Sequence, residues 1–227
     1  MTLILRTRVK VCCIASTEEA RLAVRHGADA VGLVAAMPSG PGPIPEPLIA
    51  AIAATVPPAV ASFLLTSETG VGAIIAQQRR CRANTLQLVD RLAHGGYADL
   101  RAALPGVSLV QVVHVTGADA VEEASRAAAA GADAILLDSG DQRPAVKLLG
   151  GTGRVHDWAV SRRVVEAVRV PVFLAGGLTA GNVGDAVRAV RPFGVDVCSG
   201  LRTAGRLDEA KLAAFVAAVA AADGRGG

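Results

Sequence analysis

The chain has 227 residues, of which 52% are hydrophobic and 3% aromatic, and a formal net charge of +3. This length suits one large α/β domain, and the interspersed charges lack the basic stripe of a nucleic-acid-binding protein. No apolar run is long enough to span a membrane and the N-terminus lacks a signal-peptide core, which favours a cytoplasmic protein with no membrane partner. The four cysteines have no repeated metal-ligand spacing and are expected to be free thiols.

The sequence predicts eight strands that alternate with eight helices. The strands are predicted at residues 9–14, 28–35, 60–65, 85–89, 108–115, 132–138, 170–175 and 195–198. The helices are predicted at residues 16–27, 48–55, 68–81, 95–104, 118–130, 158–168, 179–190 and 208–222. Because this alternation leaves no residues for a second domain, we expect a single (β/α)8 TIM barrel over residues 1–227, with residues 223–227 as a flexible tail. Two similar segments, HGADAVGLV at 26–34 and AGADAILLD at 130–138, indicate a repeated helix-to-strand turn.

The first predicted strand carries an unusual pair of side chains. Alternation places Lys10 and Cys12 on one face of it. A lysine on a buried strand needs a partner, because removing an unpaired ammonium from water is costly. This face is therefore predicted to meet a polar pocket or a charge partner. The alternative is a lysine at the end of a core strand beside an inert buried cysteine.

Other polar candidates lie where a barrel places its reactive groups, at the C-terminal ends of strands. By that position Cys12 and Asp138 are a candidate base and acid, and Asp196 is a further candidate. A thiolate base needs a lowered pKa, which Lys10 would favour, and a carboxylic acid needs a raised pKa, which partial burial would give. His114, near the end of the fifth strand, is a weaker candidate for the same pocket.

A phosphate site is predicted in the loops that follow strands seven and eight. Gly176 and Gly177 in one loop and Ser199 and Gly200 in the other expose backbone N–H groups with small side chains. These two loops are the usual phosphate position in the fold. The alternative is that the glycines only permit tight turns between a strand and a helix.

Several motifs in chain order resemble the phosphoribosylanthranilate isomerase family, (β/α)8 enzymes of tryptophan biosynthesis. They are VKVCCIAS at 9–16, TLQL at 85–88, GGTGRVHDW at 150–158, LAGGLTAGNV at 174–183 and RPFGVDVCSG at 191–200. The resemblance implies an Amadori rearrangement: an acid opens the furanose ring of a phosphoribosylated amine, a base removes the C2 proton, and a ketose results. It implies Cys12 as general base, Asp138 as general acid and the two loops as the phosphate site. It implies a small phosphorylated sugar as partner, and no metal or organic cofactor.

The sequence also departs from that family. The arginine that holds the anthranilate carboxylate is replaced by Pro41, the glycine after the catalytic cysteine by Cys13, and the first serine of Ser-Ser-Gly by Cys198. Losing a bidentate carboxylate partner should weaken substrate binding. Arg202, in place of a glutamate, and Arg154, in the loop after strand six, are the candidate replacements.

These departures leave two alternatives to the family reaction. One is a paralogous isomerase that acts on a different phosphosugar, and the other is a non-catalytic barrel that binds a phosphorylated ligand. Lys10, Arg154, Asp196 and Arg202 are the candidate additional substrate contacts. The apolar helices are compatible with a monomer or a homodimer.

Overall fold

The structure is a computed structural model that describes residues 6–139 and 157–224. Eight parallel strands form a closed barrel in which each strand pairs with the next and the eighth pairs with the first, which confirms the predicted (β/α)8 architecture. The strands are β1 (Arg8–Val11), β2 (Ala30–Val34), β3 (Ala61–Thr66), β4 (Thr85–Leu88), β5 (Ser108–His114), β6 (Ala134–Asp138), β7 (Val172–Leu174) and β8 (Gly194–Val197). The helices are α1 (Thr17–Arg25), α2 (Glu46–Ala53), α3 (Val71–Cys81), α4 (Tyr97–Ala103), α5 (Ala120–Ala130), α6 (Trp158–Ala167), α7 (Val183–Val190) and α8 (Glu209–Ala222).

Two element boundaries near the barrel mouth differ from the sequence prediction. β1 ends before residue 12 instead of at residue 14, because Cys13 has a φ of +61°, a left-handed conformation that interrupts an extended strand. The helix predicted from residue 179 begins four residues later, because the intervening residues form a turn. In that turn Thr179 N–H donates to Asn182 Oδ1 at 2.8 Å.

A short hairpin after β8 is absent from the sequence prediction. Its strands are β9 (Arg202–Thr203) and β10 (Arg206–Leu207). The two turn residues, Ala204 and Gly205, both have positive φ, as a two-residue hairpin turn requires. The hairpin lies between the proposed phosphate loop and α8, so it belongs to the surroundings of the site.

One hydrogen bond recurs around the amino-terminal end of the barrel. The residue just before β2, β4 and β6 accepts an N–H from the start of the preceding strand through its side-chain oxygen. The acceptors are Asp29, Asn84 and Asp133, and the donors are Val9, Ser62 and Leu109, at 2.9, 2.9 and 2.8 Å. Two of these acceptors are the aspartates of the repeated GADA segments. The repeat noted in the sequence is therefore a device that fixes neighbouring strands to each other.

The core has two layers, as expected for a barrel whose strands alternate between an inner and an outer face. One cluster includes Phe63, Val110, Leu136 and Phe173 inside the barrel. A larger cluster packs the outer faces of the strands against the helices. Asp223, at the start of the predicted tail, accepts the N–H and the hydroxyl of Thr7 at 2.8 Å each. Among the residues that the structure describes, no helix is long and apolar enough to cross a membrane.

Candidate active site

The carboxyl ends of the strands surround a cavity of about 710 Å³, counting the space that opens to solvent. Every strand of the barrel, or the residues directly after it, contributes to its wall. In strand order these residues are Cys12, Val34, Leu65, Gln87, Val112, Asp138, Ala175 and Asp196. The predicted base and acid thus face the same space from β1 and β6. Gln87 was not selected from the sequence, although an amide inside an apolar strand was a signal for it.

Lys10 lies below the cavity floor and is fully buried. It is the register partner of Asp196 across the β1–β8 pair, and its Nζ lies 2.9 Å from Asp196 Oδ1. Its Nζ also lies 5.1 Å from the centre of the Phe63 ring. Burial by itself lowers the pKa of Lys10, but Asp196, Cys12 and Cys13 together raise it, and the net shift is upward. Lys10 is therefore an ammonium at neutral pH, with the charge partner that the sequence predicted.

Gly32 leaves the space in which the Cys12 thiol and the Lys10 ammonium become neighbours. A Cβ on residue 32 would lie 2.7 Å from Cys12 Sγ and 3.2 Å from Lys10 Nζ. Gly32 thus lets a buried ammonium approach the Cys12 thiol inside the barrel. The sequence signal for this position was a single glycine within the apolar strand β2.

Asp138 lines the cavity at the end of β6. Its Oδ1 accepts the N–H of Ser139 at 2.7 Å. Burial raises the pKa of the Asp138 carboxyl and Asp196 adds to this, against the lowering effects of the Ser139 N–H, His114 and Lys10. A carboxyl with a raised pKa retains its proton closer to neutral pH, as a general acid requires.

His114 does not belong to the cavity wall. It is the register partner of Asp138 on the neighbouring strand β5. Its Nε2 lies 3.2 Å from the carbonyl oxygen of Val89, within hydrogen-bonding distance. His114 thus packs beside the acid and is 8% exposed. His114 is therefore placed to support Asp138 from the neighbouring strand.

The loops after β7 and β8 pack directly against each other. A Cβ on Gly200 would lie 2.1 Å from the carbonyl oxygen of Leu178, so no larger residue fits without moving the backbone. Asn182 Nδ2 donates to the carbonyl of Gly177 at 3.0 Å and holds the first loop in shape. Within the described chain, the N–H groups of residues 176, 177, 199 and 200 donate to no backbone carbonyl. Residues 176, 177 and 199 line this corner of the cavity, whereas Gly200 packs against Leu178 and is not part of the wall.

Arg202 is bound to protein groups and is not part of the cavity wall. Its guanidinium lies 3.3 Å from Glu19 and donates to the carbonyl oxygens of Cys12 and Cys13. Only 11% of its side chain is exposed. Through these contacts Arg202 holds the backbone of Cys12 and Cys13, directly after β1, in position. Arg154, the other candidate cation, lies outside the described residues.

Cys13 connects three loops at the rim of the cavity. Its left-handed backbone costs a residue with a Cβ about 1–2 kcal/mol relative to glycine. Its Sγ contacts Cys198 Sγ at 2.6 Å and donates to the carbonyl of Pro41 at 3.6 Å. The two positions at which the sequence has cysteine instead of the expected glycine and serine therefore lie against each other.

The wall near Pro41 is mainly apolar. Met37, Ser39, Gly40 and Pro41 line it from the loop after β2, and Val34 and Leu65 lie below them. No lysine or arginine occurs among the described residues of the wall. An aromatic ring would fit these surroundings, but a carboxylate would need a cation from elsewhere or backbone donors.

Comparisons with known proteins agree on one family. Residues 9–218 match the family of N-(5'phosphoribosyl)anthranilate (PRA) isomerase. The chain is 36% identical over 206 residues to the N-(5'-phosphoribosyl)anthranilate isomerase of Methanocella arvoryzae, covering 91% of this chain and 94% of the relative. It is 40% identical over 221 residues to the enzyme of that name from Haloferax volcanii, covering 96% and 95%.

Solved structures give the same result. The phosphoribosyl anthranilate isomerase of Thermus thermophilus superposes with a TM-score of 0.76 at 27% identity, covering 95% of this chain and 99% of the other. Another phosphoribosyl anthranilate isomerase, in complex with reduced 1-(o-carboxyphenylamino)-1-deoxyribulose 5-phosphate, superposes with a TM-score of 0.74 at 27% identity over the same shares. By fold, sequence and extent of the match, this chain belongs to the phosphoribosylanthranilate isomerase family.

Proposed function

We propose that the protein is a phosphoribosylanthranilate isomerase, which converts an N-(5-phosphoribosyl) aromatic amine to the corresponding 1-deoxyribulose phosphate. The observation that carries this proposal is that Cys12 and Asp138 face one cavity, whose corner has backbone N–H groups that donate to no backbone carbonyl of the described residues. The family membership supports the reaction, and the complex of a family member with a reduced product analogue supports the substrate class.

In the proposed mechanism, Asp138 donates its proton to the furanose ring oxygen as the bond from that oxygen to C1 breaks. The nitrogen of the amine supplies electrons, so an iminium forms at C1. The Cys12 thiolate then removes the C2 proton, and the enolamine rearranges to the ketose. One proton is given and one is taken, so the two groups exchange protonation states within a turnover.

The chain's own charges suit both roles. The Lys10 ammonium lies across the gap at Gly32 from the Cys12 thiol, so a positive charge stands beside the proposed base. Asp196 neutralises Lys10, so the buried ammonium remains tolerable without the substrate. Residues 176, 177, 199 and 200 hold the substrate phosphate, which places the sugar ring between the base and the acid.

The direct test is growth of a tryptophan auxotroph that lacks this isomerase, together with turnover of phosphoribosylanthranilate by the purified protein. Rescue by the wild-type gene and its loss with Cys12→Ala are the expected results. Failure of the wild type to rescue, with no turnover by folded protein, would exclude the tryptophan-pathway reaction.

A paralogous isomerase is the second candidate. The described cavity wall contains no lysine or arginine that could bind the carboxylate of an anthranilate substrate. For an anthranilate substrate we propose that Arg154 supplies this charge. Arg154→Ala should then raise KM for phosphoribosylanthranilate by one to two orders of magnitude, the effect of losing a charge-assisted bond of about 1.5–3 kcal/mol. A phosphosugar amine without the carboxylate is the control substrate, and equal effects on both substrates would argue against this role.

Two wider properties follow from the family assignment as proposals. A biosynthetic enzyme of this family is expected to work in the cytoplasm. One solved relative is described as monomers of the dimeric enzyme from Thermotoga maritima. For this chain we propose a monomer or a homodimer, which sedimentation equilibrium will distinguish.

A further inference from the structure

Two thiols that the proposed mechanism does not use meet at the rim of the cavity. Val11 and Val197 are register partners on β1 and β8, and Cys12 N–H donates to the carbonyl of Val197 at 2.8 Å. These backbone contacts bring the residues that follow, Cys13 and Cys198, to the same corner. Their sulfurs lie 2.6 Å apart, and Cys13 is only 6% exposed.

The backbone on both sides is held in place independently of the two sulfurs. Arg202 donates to the carbonyl of Cys13 and is itself held by Glu19. On the other side, the N–H of Leu201 donates to the carbonyl of Cys198 at 3.1 Å. The proximity of the two thiols is therefore a property of the barrel seam.

The conformation of Cys13 points in the same direction. Glycine is favoured at its φ of +61°, and glycine is what the family resemblance leads one to expect there. The side chain that replaces it contacts Cys198, which occupies the position of an expected serine. Two departures from the family pattern thus form one contact, which neither would form alone.

We propose that Cys13 and Cys198 are a redox modification site, at which a reversible disulfide closes the seam between β1 and β8 when the protein meets a hydroperoxide. The bond leaves the proposed catalytic thiol, Cys12, unmodified. It joins the end of β1 to the residue that precedes the proposed phosphate loop.

The chemistry of this step balances with one hydroperoxide. The Cys198 thiolate attacks the peroxide oxygen, the O–O bond breaks, and Cys198 becomes a sulfenic acid while an alcohol or water leaves. The Cys13 thiol then displaces the hydroxyl, which forms the S–S bond and releases water. Two electrons pass from the two sulfurs to the peroxide, and a dithiol reductant reverses the step.

The surroundings favour this order of attack. The contact with Cys13 lowers the pKa of the Cys198 thiol and Arg202 adds to this, against the effect of burial. The pKa of Cys13 moves upward, through its contacts with Cys12 and then with Cys198. Cys198 is thus the more readily deprotonated thiol of the pair.

The test is peptide mapping by mass spectrometry after hydrogen peroxide treatment and alkylation of the remaining thiols. We expect a pair of peptides cross-linked through Cys13 and Cys198. Fragmentation should place the bond in the N-terminal peptide at Cys13 and not at the adjacent Cys12. Two of the four thiols should become unreactive, and dithiothreitol should restore both. The link should raise the Tm of the oxidised protein by roughly 5–15 °C, because it closes a loop across almost the whole chain.

Variants separate this pair from the other cysteines. Cys13→Gly and Cys198→Ser should each abolish the cross-link and the Tm rise, whereas Cys81→Ser, in α3 and outside the cavity, should keep both. Four reactive thiols in the peroxide-treated wild type, or a bond from Cys12 to either partner, would overturn the proposal. The mapping uses the wild-type chain and needs no turnover, so its outcome is independent of the isomerase assay.

Discussion

Cys12 and Asp138 line one cavity from different strands, as expected for two groups proposed to act on different atoms of one substrate. Cys12→Ala and Asp138→Asn should each reduce kcat by about 10²-fold or more, the scale of a positioned base or acid. Steady-state kinetics with phosphoribosylanthranilate measures this. Cys81→Ala, in a buried thiol of α3, is the matched control and should retain kcat. A near-normal rate in either site variant would remove that residue from the mechanism.

The same property that suits Asp138 for acid catalysis should cost stability. Burial raises the pKa of the Asp138 carboxyl above its ordinary value, so the native state holds this proton more tightly than the unfolded chain does. The contribution of Asp138 to the free energy of unfolding therefore falls as pH rises from about 4 through the folded pKa, and stays low above it.

Asp138→Asn should consequently raise the free energy of unfolding at pH 7 while it abolishes turnover. Urea denaturation between pH 4 and pH 8 measures this, and the gain should shrink toward pH 4. A variant less stable than the wild type at pH 7 would show that the carboxylate makes a net favourable contribution in the fold.

Gly32 tests whether the space between Cys12 and Lys10 matters for the reaction. Gly32→Ala places a Cβ 2.7 Å from Cys12 Sγ, which no unstrained contact permits, so the thiol must move. We expect kcat to fall by at least about 10-fold, since misplacing a reacting group by about 1 Å can cost about 10²-fold. Gly72→Ala, where a Cβ meets nothing within 4 Å, is the matched control. Equal rates for the two variants would mean that the thiol has room to adjust.

At the scale of elements, the closing seam of the barrel contains a buried ion pair. Lys10 on β1 and Asp196 on β8 are register partners, and both are almost fully buried. Asp196→Ala leaves the ammonium without its partner and should lower the free energy of unfolding by about 3–5 kcal/mol. Chemical denaturation of the single variant measures this loss.

The double variant Lys10→Met with Asp196→Leu is the control for the ion pair, because apolar groups of similar size can replace a buried pair at little cost. It should recover most of the lost stability and remain inactive. A single variant as stable as the wild type would show that the barrel closes without this pair.

The elements themselves were largely predictable, because strands and helices leave periodic apolar patterns and turns leave glycine. The residues at which these elements end near the candidate site were less predictable. β1 stops early since Cys13 is left-handed, and residue type alone does not reveal a positive φ in a cysteine. The role of Arg202 depends on Glu19, 183 positions away, and no local pattern joins the two.

At the scale of the whole molecule, the location of the candidate site followed from the fold. A closed parallel barrel brings the carboxyl ends of all its strands to one mouth, so a residue's position at a strand end was enough to place Cys12 and Asp138 together. Position at a strand end does not predict which residues surround Cys12 and Asp138. Gly32 and Gln87 lie within strands, and only the register of the closed sheet brings Gly32 beside Cys12 and Gln87 to the cavity wall.

The proposed phosphate site depends on the whole fold, because it is made where two loops from different strands meet. A ligand that binds only the native state adds about 2.7 kcal/mol to its stability at a concentration near 100 Kd. For a domain of this length, inorganic phosphate should raise Tm by roughly 5–10 °C under those conditions. Gly200→Ala should remove most of this response, because its Cβ would lie 2.1 Å from Leu178 O and force the loops apart. Gly72→Ala should respond as the wild type does, and a full response in Gly200→Ala as well would place the anion elsewhere.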